Sequence, residues 1–207
     1  MELILKRNLE HQTIPIERLC SIFSNVGIQK PMNSIENPII DIGSPYLYQN
    51  IKRVQEDLPS NMQGVSRKEV DYLNIDIKME TGTGKTYVYT KAIYELNKLY
   101  GFKKFIIAVP SLAIKAGTAN FMKAQSNVNH FKNVCGYNTE IKLRTVESIK
   151  TKKGKKKYVP NSIRDFVTSS NLQRNTIEVL LVNMQHLKES KNGVLVRDDY
   201  DSHIEGY

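Results

Sequence analysis

A glycine-rich segment between an extended pattern and a helical pattern constrains the fold of this chain more than any other feature. Residues 80–86 read ETGTGKT, and apolar and polar residues alternate before them over 74–79, as in a β-strand. Residues 85–100 then repeat apolar residues at helical spacing, and Gly101 is suited to end that helix. We therefore predict a strand, a tight turn and a helix in direct succession.

Such a turn is suited to bind phosphate groups. Glycine lets backbone amides point toward an anion, and the helix that follows directs the positive end of its dipole to the same place. A lysine and a threonine at the helix start can reach the β- and γ-phosphates and a Mg²⁺ ion. We therefore predict a P-loop that binds a nucleoside triphosphate. The loop residues are Thr81, Gly82, Thr83, Gly84, Lys85 and Thr86. Lys85 and Thr86 are also the predicted catalytic residues, and Thr86 is the predicted Mg²⁺ ligand. Met79 departs from the usual pattern, which has glycine there, and a plain glycine turn is the alternative interpretation.

Further strand and helix patterns follow the loop. Strands are predicted over 102–110, 141–146 and 176–183, and a helix over 112–125 with Ser111 as its cap. Alternating strands and helices favour an α/β fold with a parallel sheet.

The residues before the loop are less regular. We predict a helix that starts near Pro15 and ends at Gly27, with the proline in the first turn of the helix. Residues 28–72 are predicted to form loops with short helical pieces.

Composition favours a polyanionic partner. The 207 residues carry a formal net charge of +9, which fits nucleic acid, although a basic protein without such a partner also fits. The lysine run Lys150–Lys157 is either a solvated loop or a contact to phosphates. Cys20 and Cys135 form no CxxC pair, and we expect a reducing cytoplasm, no signal peptide and no membrane span.

Three segments together resemble a known family. They are METGTGKT with the helix and the FIIAVPS strand after it (79–117), LEHQ (9–12) and IEVLLVNMQHL (177–187). These residues resemble the Res (restriction) subunit of type III restriction-modification enzymes, which belong to the superfamily-two helicase group. The resemblance implies a RecA-like P-loop NTPase domain, with residues 1–73 as an N-terminal segment and 74–207 as the first part of the motor domain, containing a basic insertion at about 135–176.

The resemblance also implies roles for individual residues. Gln12 lies where such motors place a glutamine that reads adenine, so ATP is the expected nucleotide; from the sequence alone, an exposed residue before a helix is the alternative. Ser111 and Lys115 lie where the family contacts the nucleic-acid backbone, or are simply a helix cap and a surface lysine. Asn183 and Gln185 correspond to a further such contact.

The second acidic motif of a motor ATPase has no counterpart after Thr86. Asp198, Asp199 and Asp201 are clustered, but they lack the Asp-Glu pair at the end of an apolar strand. We therefore expect a Res subunit that ends inside its first motor domain, and an isolated chain that binds ATP weakly and is inactive. The full enzyme implied by the resemblance is a DNA-dependent ATPase and translocase, which supports cleavage of double-stranded DNA together with the methyltransferase (Mod) subunit.

Other interpretations stay open. One is another superfamily-two motor, such as an RNA helicase or a type I restriction subunit. A second is a non-enzymatic, basic nucleic-acid-binding remnant. A metabolic P-loop kinase is the least favoured, because it explains neither the charge nor the AVPS strand.

Overall fold

The computed structural model describes residues 5–31, 36–60, 63, 72–147, 160–169 and 175–187. The predictions for the lysine run and for the three clustered aspartates lie outside the described residues. None of the helices in this part has the length and apolarity needed to cross a bilayer.

The described residues form two compact units. The first takes most of its residues from 6–32 and 37–102, and the second from 103 onward. The glycine-rich loop belongs to the first unit. The division of the sequence at residues 73 and 74 stays a prediction.

The first unit is helical. It contains α1 (Glu10–Ile22), α2 (Pro45–Gln55) and α3 (Lys85–Tyr100), with two short antiparallel strands, β1 (Ile28–Gln29) and β2 (Ile39–Ile40). Helix α2 confirms that helical structure occurs between residues 28 and 72. A core cluster joins the end of α1 to α2 through Ile22, Phe23, Val26, Leu47 and Ile51.

Helix α1 begins five residues earlier than predicted, so Pro15 lies inside it rather than in its first turn. The Leu9 carbonyl explains the earlier start. It accepts hydrogen bonds from the amides of Gln12 and Thr13, both at 2.9 Å, and from the Thr13 hydroxyl at 3.0 Å. These bonds complete a turn before the proline, and the turn includes Gln12.

Helix α3 has the bounds that the apolar spacing predicts. Gly101 adopts a left-handed conformation with φ 81°, and its amide donates to the Asn97 carbonyl at 2.9 Å, which confirms it as the C-cap.

The predicted strand over 74–79 is absent, although all six residues are described. Ile75 and Met79 are half-buried and pack against core clusters of the first unit, but Ile77 between them is exposed, so the alternation in the sequence is not matched by alternating burial. A strand also needs a hydrogen-bonded neighbour, and this segment pairs with none of the described strands.

The second unit is built on a parallel sheet of three strands, as predicted. These are β3 (Lys104–Val109), β4 (Glu140–Thr145) and β5 (Thr176–Asn183), in the order β3-β5-β4. Strand β5 is central and buried from Ile177 to Asn183, which explains its nearly continuous apolar run.

Helices cover this sheet. They are α4 (Leu112–Lys123), α5 (Gln125–Asn129) with a π-helical turn after it (His130–Val134), and α6 (Asn161–Thr168); a 3₁₀ turn (Met184–His186) follows β5. Helix α4 confirms the predicted helix. Helix α6 packs Ile163 and Phe166 on Leu180 and Val182 of β5.

One charged residue interrupts the apolar strand β5. Glu178 is buried, and its carboxylate bonds the Arg144 Nε atom at 2.7 Å. Arg144 also pairs with Asp165 at 3.0 Å, which ties β4 to α6. The Glu178 charge is therefore tolerated in the sheet because the half-buried Arg144 guanidinium pairs with it.

Candidate nucleotide-binding site

The loop before α3 is held open by two glycines in left-handed conformations. Gly82 has φ 83° and Gly84 has φ 86°, and Gly84 directly precedes the helix. Among the described residues, the amides of Gly84, Lys85 and Thr86 donate to no carbonyl or side chain. The start of α3 thus presents three successive amide donors with no partner from the protein.

The side chain of Lys85 folds back across the loop. Its ammonium donates to the Met79 carbonyl at 2.8 Å and to the Glu80 carbonyl. The charge therefore lies over the loop, between the end of the extended segment and the start of the helix. Since an ammonium has three donors, two bonds to the loop leave one for a ligand.

Two threonines complete the loop. The Thr83 hydroxyl donates to the Glu80 carbonyl at 2.8 Å, which closes the turn on itself. Thr81 is exposed and Thr86 is half-buried in the first turn of α3. The structure thus brings the six predicted loop residues together in one turn.

Gln12 reaches this loop from a position 71 residues away in the sequence. Its side chain is buried at 8% exposure, and its Nε2 atom donates to the Thr83 carbonyl at 3.0 Å. A Cβ atom at Gly84 would lie 2.5 Å from the same Nε2 atom. Gln12 therefore packs directly against the loop backbone, and the interpretation of an exposed residue is wrong. Its predicted contact with adenine stays a prediction.

Helix packing explains why Gln12 lies there. Ile16 and Cys20 of α1 form a core cluster with Val88 and Ala92 of α3. Gln12 is one helical turn before Ile16, so it lies on the same face of α1. Met79 packs against this cluster, which accounts for a side chain where the usual pattern has glycine.

The four residues predicted to contact nucleic acid lie in the second unit, near the carboxyl ends of its strands. Ser111 caps α4 by accepting from the Ile114 amide at 3.2 Å. Asn183 is buried and accepts from the Gln185 amide at 2.9 Å. Both side chains therefore have a structural role, and Ser111 is a helix cap. The contacts of Ser111 and Asn183 with nucleic acid stay predictions.

Lys115 and Gln185 differ in their surroundings. The Lys115 ammonium donates to the Val146 carbonyl just after β4, and Gln185 is exposed. Burial lowers the pKa of Lys115, and the nearby Glu147 carboxylate opposes that change. Contacts of both residues with a nucleic-acid backbone stay predictions.

Sequence reasoning missed the loop carbonyls that hold Lys85 and the bond between Gln12 and Thr83. Main-chain carbonyls leave no signal in a sequence. Gln12 could be identified from the sequence only because it matches a position of the family that it resembles.

Comparison with known proteins agrees with this geometry. The family model of the type III restriction enzyme Res subunit matches residues 45–204. The chain is 42% identical over 187 residues to the type III restriction-modification enzyme EcoPI Res subunit of Escherichia phage P1, covering 86% of this chain and 19% of that protein.

Two further relatives carry the same description. The chain is 36% identical over 211 residues to the EcoP15I Res subunit of Escherichia coli, covering 96% of this chain and 20% of that protein. It is 43% identical over 138 residues to the StyLTI Res subunit of Salmonella typhimurium, covering 66% of this chain and 13% of that protein.

The chain thus spans about a fifth, or less, of the length of these relatives. The match covers the glycine-rich loop, helix α3 and the parallel sheet. This chain belongs to the family of type III restriction enzyme Res subunits.

Proposed function

We propose that the loop before α3 binds ATP with Mg²⁺. The observation that carries the proposal is the set of amides at Gly84, Lys85 and Thr86, which have no partner among the described residues and adjoin the Lys85 ammonium. Amide donors, a helix N-terminus and a lysine together suit the phosphate chain of a nucleotide.

Each side chain then has a distinct role. Lys85 exchanges its bonds to the Met79 and Glu80 carbonyls for bonds to the β- and γ-phosphates. Thr86 offers its hydroxyl to Mg²⁺, which when bound would neutralise phosphate charge. Gln12 supports the loop through Thr83 and contacts the adenine edge with its remaining amide atoms.

We propose that the full-length Res subunit is a DNA-dependent ATPase and translocase. It acts on double-stranded DNA with a methyltransferase subunit, in the cytoplasm. Ser111, Lys115, Asn183 and Gln185 would follow the nucleic-acid backbone at the carboxyl edge of the sheet. The membership of the family supports these roles.

The 207 residues alone are proposed to bind ATP weakly and to hydrolyse little of it. No Asp-Glu pair follows Thr86 in the sequence, so the usual carboxylates for Mg²⁺ and the attacking water have no counterpart. Transition-state charge would then be poorly stabilised.

Calorimetric titration of the chain with ATP and Mg²⁺ tests the proposal. Lys85→Ala is expected to weaken binding at least about tenfold, because a charge-assisted bond to phosphate is lost. Lys98→Ala, an exposed lysine on the same helix, is the matched control and is expected to change little.

Equal binding by the wild type and Lys85→Ala would instead favour a basic nucleic-acid-binding remnant. Steady hydrolysis by the isolated chain that depends on Lys85 would contradict the proposed inactivity.

A further inference from the structure

A π-helical turn in the second unit brings a histidine and a cysteine together. In an α-helix, residues five apart point about 140° away from each other around the axis. The π-helical turn His130–Val134 instead places residue 135 over residue 130, and the Cys135 amide donates to the His130 carbonyl at 3.0 Å. The Cys135 Sγ atom therefore lies 3.5 Å from the His130 Nε2 atom, within hydrogen-bonding distance for sulfur.

The two side chains differ in their access to solvent. His130 is buried, and its ring lies edge-on to Phe131 with 5.5 Å between the centroids, whereas Cys135 is half-buried. The imidazole is thus held in place by its neighbours, while a small reagent can reach the thiol. Such π-helical turns are frequent at functional sites.

A third polar group lies close by in the chain. Asn127 precedes His130 by three residues, and residues three apart are neighbours on the surface of a helix. Asn127 is 5% exposed, and its Nδ2 atom donates to the Phe121 carbonyl at 2.8 Å. Its Oδ1 atom is buried and accepts no hydrogen bond from the described part of the chain. A buried acceptor without a donor is costly, so the site retains an oxygen that can accept a further hydrogen bond.

We propose that Cys135 is a nucleophilic thiol that reacts with small electrophiles, with His130 as its general base and Asn127 as a positioning residue. The thiolate is the reactive form of cysteine, and an adjacent imidazole generates it by taking the thiol proton. His130 accepts that proton at Nε2, and the Asn127 Oδ1 atom accepts a hydrogen bond from Nδ1 of the resulting imidazolium. A base that is oriented by a third group is characteristic of activated nucleophiles.

Hydrogen peroxide is the electrophile that we assign to this thiol. The Cys135 sulfur attacks one peroxide oxygen, so that an S–O bond forms while the O–O bond breaks. The hydroxide that leaves takes the proton from His130 and departs as water. The sulfur is thereby oxidised to a sulfenic acid, and the peroxide is reduced to water.

Cys20 provides an internal control. It is buried in the first unit, and burial, together with the Glu95 and Glu17 carboxylates, raises its pKa to about 11. Since the thiol form is unreactive, Cys20 is expected to resist electrophiles as long as the chain is folded.

Alkylation by iodoacetamide, with mass spectrometry of each cysteine, measures the activation. Burial alone slows a thiol in the folded chain relative to the same thiol in urea, and a general base has the opposite effect. Cys135 is expected to react at least about tenfold faster in the folded chain than in urea, whereas Cys20 reacts more slowly when folded. An equal or slower reaction of Cys135 in the folded chain would overturn the proposal, and this comparison requires no variant.

Variants assign the roles. His130→Gln is expected to lower the rate at Cys135 to that in urea or below it, while Asn133→Ala, an exposed neutral residue of the same turn, leaves the rate unchanged. Asn127→Ala is expected to slow the reaction about threefold, and Asn127→Asp, which keeps an acceptor oxygen, to retain the rate. Thermal melts monitored by circular dichroism verify that each variant is folded. An unchanged rate in folded His130→Gln would overturn the role of the base, and an unchanged rate in folded Asn127→Ala that of the positioning residue.

Treatment of the chain with hydrogen peroxide and dimedone, which traps sulfenic acids, tests the oxidation itself. Dimedone is expected to label Cys135 and not Cys20 in the folded chain, and His130→Gln is expected to lose the label. Equal labelling of the two cysteines, or no label on Cys135, would overturn the assignment of peroxide.

Discussion

The contact between Gln12 and Gly84 leads to a quantitative prediction for alanine at that glycine. Gly84→Ala places a Cβ atom 2.5 Å from the Gln12 Nε2 atom, at a residue whose φ is 86°. A left-handed conformation costs a residue with a Cβ roughly 1–2 kcal/mol. Gln12 must also move, and moving it breaks the bond to Thr83, which contributes about 1 kcal/mol. We expect Gly84→Ala to lower the free energy of unfolding by about 2–3 kcal/mol.

Gly82 provides the matched control. It has nearly the same φ, 83°, but a Cβ atom there meets nothing within 4 Å. Gly82→Ala is therefore expected to cost only the conformational term, roughly 1–2 kcal/mol. The difference between the two variants isolates the contact with Gln12.

Urea denaturation followed by circular dichroism measures both variants. A double-mutant cycle with Gln12→Ala completes the test, because removal of the glutamine leaves the new Cβ without a clash. In that background, Gly84→Ala and Gly82→Ala are expected to cost the same. Equal costs in the wild-type background, or no relief by Gln12→Ala, would refute the packing of Gln12 on the loop.

Three further predictions concern other parts of the molecule. Glu178→Ala is expected to lower the free energy of unfolding by about 2 kcal/mol, since it removes the 2.7 Å bond of the half-buried Arg144 guanidinium and leaves that group only its ion pair with Asp165. Lys142→Ala, whose ion pair is 3.9 Å long and half exposed, should cost little in the same urea titration. Folding raises the pKa of Cys20 from 9.0 to about 11, first through burial and then through Glu95 and Glu17, so the folded state holds the thiol proton more tightly and stability falls as pH rises across that interval. The unfolding free energy is expected to fall by roughly 2–3 kcal/mol over that pH interval, and Cys20→Ala should abolish this decrease. Parallel pH profiles of the unfolding free energy for the wild type and Cys20→Ala would contradict the prediction. Ser111→Ala removes the side-chain cap of α4 and is expected to cost about 1 kcal/mol in a thermal melt, where Ser111→Asp, which retains a capping oxygen, should cost less.

Local sequence patterns predicted much of the fold correctly. Helix α3 has its predicted bounds because apolar spacing and a terminal glycine are both encoded within the helix and its cap. Strand β5 follows from a continuous apolar run, and the predicted parallel sheet follows from the alternation of strands and helices. The order ETGTGKT similarly determined the turn with two left-handed glycines, since only glycine adopts that conformation at low cost.

Tertiary structure decided what local patterns leave open. Residues 74–79 alternate like a strand, yet strand formation depends on a neighbour that the segment itself does not specify. Helix α1 continues before Pro15 because bonds to the Leu9 carbonyl support its first turn. The candidate site shows the same contrast. The sequence determined which amides and which ammonium lie at the loop, because residues adjacent in the chain lie close together in space. Only the packing of α1 against α3 placed Gln12 on Thr83, since a bond across 71 residues depends on how the helices meet.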